Sequence, residues 1–224
     1  MIKRIVRLVS FALLVMAAVM VAACGSQAVE PSGSTGTTPG AHNTPQPTSQ
    51  SAGRITEFAL PTQGSGPFGI TKGPDGNIWF TERYGPCHIG RITPTGKIKE
   101  FPQVLCGALD ITAGPDGNLW FTEETGRIGR ITPGGVTTDF LSNDDDFWGY
   151  QHVPTDITTG PDGNLWFKQD VSNGFSEIVR ITPAGQLTEF LFNLPKGPGD
   201  ITAGPDGNLW FTEDFKIGRI TTGK

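Results

Sequence analysis

One segment of this chain is written four times. Gly73-Pro74-Asp75-Gly76-Asn77-Ile78-Trp79-Phe80 recurs at Gly114–Phe121, Gly160–Phe167 and Gly204–Phe211, at spacings of 41, 46 and 44 residues. A period of about 40–50 residues belongs to propeller blades and large solenoid units. Each copy is preceded by Ile-Thr (Ile70-Thr71, Ile111-Thr112, Ile157-Thr158, Ile201-Thr202). Each is followed by a polar end, then by Ile-Gly-Arg-Ile-Thr or a variant of it. In three copies a Pro-x-Gly turn and a short run such as Thr188-Glu189-Phe190 follow.

The punctuation dictates hairpins. In Pro-Asp-Gly, Pro fixes φ, Asp bonds back to the backbone, and Gly takes φ > 0 without a Cβ clash. Thr93-Pro94-Thr95-Gly96, Thr132-Pro133-Gly134-Gly135 and Thr182-Pro183-Ala184-Gly185 do the same one hairpin later. Each repeat therefore reads as four short antiparallel strands, and nothing in it reads as helix. The 31 Gly and 18 Pro, about 22% of the chain, approach the composition of disordered sequences. Their fixed offsets assign most of them to turns instead. So many helix breakers exclude a coiled coil.

The expected fold is an all-β β-propeller. Residues 54–58, Arg-Ile-Thr-Glu-Phe, match an outermost strand such as Leu187–Phe190, and the last repeat stops at its third strand, 217–221. Sixteen strands make four four-stranded blades, with the N-terminal strand closing the last one and removing the exposed edges. The alternative is an open or partial arc of a larger propeller.

Lys3, Arg4 and Arg7 precede the uncharged apolar run 8–23, which ends in Val21-Ala22-Ala23-Cys24-Gly25. Sixteen apolar residues are short for a membrane span and suit a signal peptide. Small residues before a Cys resemble a bacterial lipobox, so Cys24 is the expected lipidation site, with 1–23 removed. Residues 24–52 form a polar Gly/Ser/Thr/Pro tether with no apolar periodicity. Residues 53–224 are the propeller. The expectation is a bacterial lipoprotein, extracytoplasmic and anchored to the bilayer through Cys24. Cleavage removes three cations and lowers the net charge from −5 to −8. That acidity argues against a nucleic-acid partner.

Gly-Pro-Asp-Gly-Asn-Leu-Trp-Phe-Thr-Glu followed by Ile-Gly-Arg-Ile-Thr-Pro resembles the virginiamycin B lyase (streptogramin B lyase) family over residues 54–224. The resemblance implies opening of a cyclic depsipeptide antibiotic by elimination, with a base, a divalent metal such as Mg²⁺, and no water consumed. It also implies working histidines after a Pro just before an innermost strand. The matching positions here are Phe68, Leu109, Thr155 and Gly199, none of them His.

The loops expected on the family's functional face carry the remaining chemistry. Asp110, Asp156 and Asp200 stand at the entrance of three innermost strands. Glu82, Glu123 and Glu213 end three second strands, where the remaining copy is read as having Lys168. The carboxylates suit a cationic ligand, or Mg²⁺ or Ca²⁺ through oxygen donors. The bland reading has Asp bonding backbone N–H groups and Glu solvated. The long connection Ser142–Pro154 adds Asp144, Asp145, Asp146, Phe147, Trp148, Tyr150 and His152, a set suited to a small molecule, peptide or glycan. His152 and His88 are the propeller's histidines and the weak candidates for a displaced base, with Glu123 and Glu213 as acidic partners. Cys87 and Cys106 are expected to form a disulfide outside the cytoplasm. Two readings follow: a non-catalytic binding propeller, or a lyase with a relocated base.

Overall fold

Every described repeat folds into one antiparallel sheet. The computed structural model describes residues 53–102, 106–141, 152–171, 174–195, 199–213 and 215–222. Blade 1 is β1 (Pro67–Lys72), β2 (Ile78–Glu82), β3 (His88–Ile92) and β4 (Ile98–Pro102). Blade 2 is β5 (Ala108–Ala113), β6 (Leu119–Glu123), β7 (Arg127–Ile131) and β8 (Thr137–Leu141). Blade 3 is β9 (His152–Thr159), β10 (Leu165–Val171), β11 (Phe175–Ile181) and β12 (Leu187–Pro195). Blade 4 is β13 (Ile201–Ala203), β14 (Leu209–Thr212) and β15 (Ile217–Ile220). Strands pair in chain order within each sheet, and no helix occurs among the described residues.

The repeated residues are explained by one construction. Gly76 sits at φ 78°, so the turn closes without a Cβ clash. Asp75 Oδ1 accepts from Asn77 N at 3.2 Å and from the Trp79 indole at 3.0 Å. The guanidinium of Arg91, from the Ile-Gly-Arg run, lies 5.5 Å over that indole. The same Asp–Trp bond recurs at Asp116–Trp120, Asp162–Trp166 and Asp206–Trp210. Trp79 then stacks on Phe101 of the outermost strand, with ring centroids 5.3 Å apart. Gly90 completes the unit, because a Cβ there would lie 2.1 Å from the Phe80 ring.

Blades pack in sequence through three apolar clusters. Trp79, Ile89 and Phe101 of blade 1 meet Ile111, Leu119, Phe121 and Ile131 of blade 2. Trp120 and Ile128 meet Ile157, Leu165 and Phe167, and Trp166 and Ile178 meet Ile201, Leu209 and Phe211. The end blades lack this cover. Ile111, Ile157 and Ile201 are 3–4% exposed, whereas their counterpart Ile70 is 70% exposed. Ile217 is 64% exposed, whereas Ile89, Ile128 and Ile178 are fully buried.

Among the described residues the four blades therefore form an open arc, the alternative anticipated above. The expected closing strand does not form. Residues 54–58 carry no strand, and the fourth sheet has three strands. Phe58 nonetheless lies against Gly96 as Phe101 lies against Gly135 and Phe140 against Gly185. Its ring occupies an outermost-strand position beside blade 1, but its backbone is not paired with β15.

Candidate functional site

The innermost strands bring the acidic residues together. Asp110, Asp156 and Asp200 occupy equivalent positions, each just before the inner-strand Ile: inside β5 and β9, which begin two and four residues earlier, and immediately before β13. Blade 1 has Gly69 there, where a Cβ would sit 2.7 Å from the Leu109 carbonyl oxygen. A hydroxyl relay stitches neighbouring inner strands. Thr81 Oγ1 accepts from Gly69 N at 2.8 Å and donates to the Leu109 carbonyl; Thr122 Oγ1 accepts from Asp110 N at 3.1 Å and donates to the Thr155 carbonyl.

Asp110 confirms part of the bland reading. Its Oδ1 accepts from Ile111 N at 2.8 Å and its Oδ2 from Ile157 N of the next blade at 3.0 Å. Asp200 Oδ1 accepts from Ile201 N at 2.8 Å, and Asp156 Oδ2 accepts from the Thr155 hydroxyl at 3.1 Å. Burial pushes the Asp110 carboxyl above the usual range; the Ile157 and Ile111 amides pull it back and the Asp200 charge adds to the rise. Burial also raises Asp156, against the Thr155 hydroxyl and Lys168, while the charges of Asp110 and Asp200 add to it. The charge of Asp200 thus reaches both Asp110 and Asp156, and a cation beside those two would offset it.

The strand register corrects one sequence assignment. Glu82 pairs with Pro67 and Glu123 with Ala108; in blade 3 it is Gln169, paired with Pro154, that fills this position. Lys168 instead takes the place of Thr81 and Thr122 and reaches Asp170 at 3.1 Å. Nor are these glutamates solvated strand ends. Glu82 and Glu123 are 0% and 1% exposed, while Glu213 is half-buried.

Glu123 has a measurable consequence. Burial raises its carboxyl to about 7 from an ordinary 4.5, Asp139 adds to the rise, and Thr125 and Arg127 oppose it. Between these values the folded state keeps a proton that the unfolded state releases. Stability therefore falls as pH rises through this window, by up to about 3 kcal/mol. Thermal melts of Glu123→Gln are expected to show a smaller loss of stability between pH 5 and pH 8 than the parent protein. Equal losses would contradict the assignment.

Both histidines lie inside blades. His152 opens β9 rather than sitting in a loop, because β9 begins two residues ahead of Pro154. The His152 side chain is 9% exposed, and its Nδ1 lies 3.1 Å from Gln169 Nε2 and 3.8 Å from Glu177 Oε2. His88 opens β3, is 13% exposed, and its Nδ1 lies 3.6 Å from Glu82 Oε2. Cys87 and Cys106 form the expected disulfide. Trp148, Tyr150 and the Asp144–Asp146 run lie outside the described residues, as does Cys24.

Sequence reasoning passed over Ser65, Glu100, Asp139 and Glu177. Glu100 and Asp139 face Gly90 and Gly129 across their strand pairs, and Glu177 faces Gln169. Counting in twos along each hairpin identifies all three.

Residues 37–222 match the model of the virginiamycin B lyase family. The chain belongs to that family. Its fold is similar to a virginiamycin B lyase from Staphylococcus aureus, a catalytically inactive histidine-to-alanine variant solved with quinupristin. The identity is 45% and the TM-score 0.66, over 76% of this chain and 57% of that one. A streptogramin B lyase structure is 36% identical with a TM-score of 0.64, over 77% of this chain and 60% of its own. A virginiamycin B lyase from Bacillus licheniformis is 49% identical over 45 residues, 20% of this chain and 15% of that one. The chain thus spans less than two thirds of the family members it matches.

Proposed function

We propose that this member of the virginiamycin B lyase family is a binding propeller, without lyase activity, that holds a cationic small molecule or peptide at the starts of its inner strands. The observation that carries this reading is the composition of those starts. Phe68, Leu109, Thr155 and Gly199 stand where the family resemblance implies histidines, and Asp110, Asp156 and Asp200 follow three of them. His88 and His152, the alternatives for a base, are largely buried within blades 1 and 3. A base must reach the proton it abstracts. Asp110 has both carboxylate oxygens on backbone N–H groups, so it chiefly fixes geometry. Asp156 and Asp200 keep acceptor capacity for a ligand, or for Mg²⁺ or Ca²⁺ bridging to one. Lipidation at Cys24 and the 24–52 tether would present this face outside a bacterial cytoplasmic membrane.

A thermal-shift panel of cationic, neutral and anionic peptides and glycans tests the reading. Cationic compounds are expected to raise the melting temperature of the parent protein but not of an Asp156→Asn, Asp200→Asn variant. A preference for anions, or an equal shift in the variant, contradicts it. The lyase reading is favoured by family membership and by the 45% identity to a structure solved with quinupristin.

A further inference from the structure

Blade 1 contains a second polar centre, built from other residues than the three aspartates. Glu82 at the end of β2, His88 at the start of β3 and Glu100 in β4 bring one donor atom each within 4.8 Å of one another. Glu82 is fully buried, and neither of its oxygens has a hydrogen-bond partner. His88 Nδ1 is also buried without one. Burial raises the Glu82 carboxyl; the Ser65 hydroxyl beside it, 1% exposed, and His88 favour its charge without completing a hydrogen bond. Four polar atoms buried in one place without a completed hydrogen bond are costly unless something joins them.

The other blades show how the same position is otherwise stabilised. In blade 2 Glu123 faces Arg127 across the strand pair, a fixed cation that favours its charge. In blade 3 the residue is the neutral Gln169, whose amide donates to Glu177 at 2.9 Å. Blade 1 has neither arrangement. It has two carboxylates and an imidazole, a donor set that suits a divalent transition ion more than Mg²⁺ or Ca²⁺.

The surroundings already orient these donors. Thr62 donates to Glu100 from its backbone N at 3.0 Å and its hydroxyl at 2.7 Å, the outer hydrogen bonding that fixes a carboxylate ligand. The strand pairing fixes Glu82 opposite His88, and the Cys87–Cys106 disulfide holds the chain immediately before His88. A tetrahedral zinc ion places its ligand atoms about 3.4 Å apart, near the 3.6 Å between Glu82 Oε2 and His88 Nδ1.

We propose that Glu82, His88 and Glu100 bind one divalent transition-metal ion of the Zn²⁺ or Mn²⁺ type, with Ser65 or water as the remaining ligand, and that this ion locks blade 1. Metal binding to the folded state raises its stability by linkage. The test uses the full folded domain after chelation and desalting. Titration with Zn²⁺, followed by metal analysis of the desalted protein, is expected to give one retained ion per chain and a raised melting temperature. Glu82→Gln keeps the shape of the side chain, removes the buried charge and should fold; it is expected to weaken Zn²⁺ binding at least about 100-fold. His88→Ala is expected to do the same, and Co²⁺ in the parent protein to show a nitrogen- and oxygen-ligated visible spectrum. No retained metal overturns the proposal. So does undiminished binding in both variants, which would place the ion elsewhere.

Discussion

Ile111→Ala is expected to lower the unfolding free energy by about 2–5 kcal/mol, and Ile70→Ala by less than about 0.5 kcal/mol. The two residues are equivalent in the repeat, each the Ile of an innermost Ile-Thr pair. Their surroundings are not. Ile111 is 3% exposed and packs in the cluster that joins blade 1 to blade 2, whereas Ile70 is 70% exposed on the uncovered side of blade 1. Truncating Ile111 leaves a cavity between two sheets; truncating Ile70 removes atoms already in water. Chemical denaturation of both variants makes the comparison. A cost at Ile70 as large as that at Ile111 would mean that the face is covered in solution, by ring closure or by a second copy.

Loss of the Cys87–Cys106 bond has the next largest expected effect. The cysteines are 19 residues apart in sequence. The chain-entropy model assigns a loop of that size about 3 kcal/mol, arising in the unfolded state. The bond also ties the β2–β3 turn to the segment leaving β4, the region that holds His88. The Cys87→Ser, Cys106→Ser double variant is expected to melt about 6–12 °C below the parent under non-reducing conditions. An unchanged melting temperature would show that packing in blade 1 already fixes that loop.

The blade was legible in the sequence because its turns are. Pro-Asp-Gly at four fixed offsets leaves the backbone few options, and Gly76 and its counterparts adopt the left-handed conformation that the motif demands. What the repeat hid is the second use of Asp75, as acceptor for the Trp79 indole, since that bond depends on two side chains meeting in space. Ring closure was not legible either. Counting strands gives sixteen, but closure needs residues 54–58 to pair with β15, and they carry no strand. The acidic residues split along similar lines. Asp110 was placed correctly at an inner strand start, with its backbone role foreseen as one of two outcomes. For Glu82 and Glu123 a ligand-facing and a solvated reading both stood open, because alternation presumes one wet face. In the folded blades β2 and β6 are buried through their last residues.

As a binding propeller, this chain would keep the family's scaffold without its elimination chemistry. Incubating the purified domain with a type B streptogramin and Mg²⁺, at high protein concentration and beside an active family member, tests it most directly. Chromatography with mass detection separates the cyclic compound from a ring-opened product of the same mass. Only the active relative is expected to open the ring. Ring-opened product from this chain, above the level of a no-protein control, would contradict it.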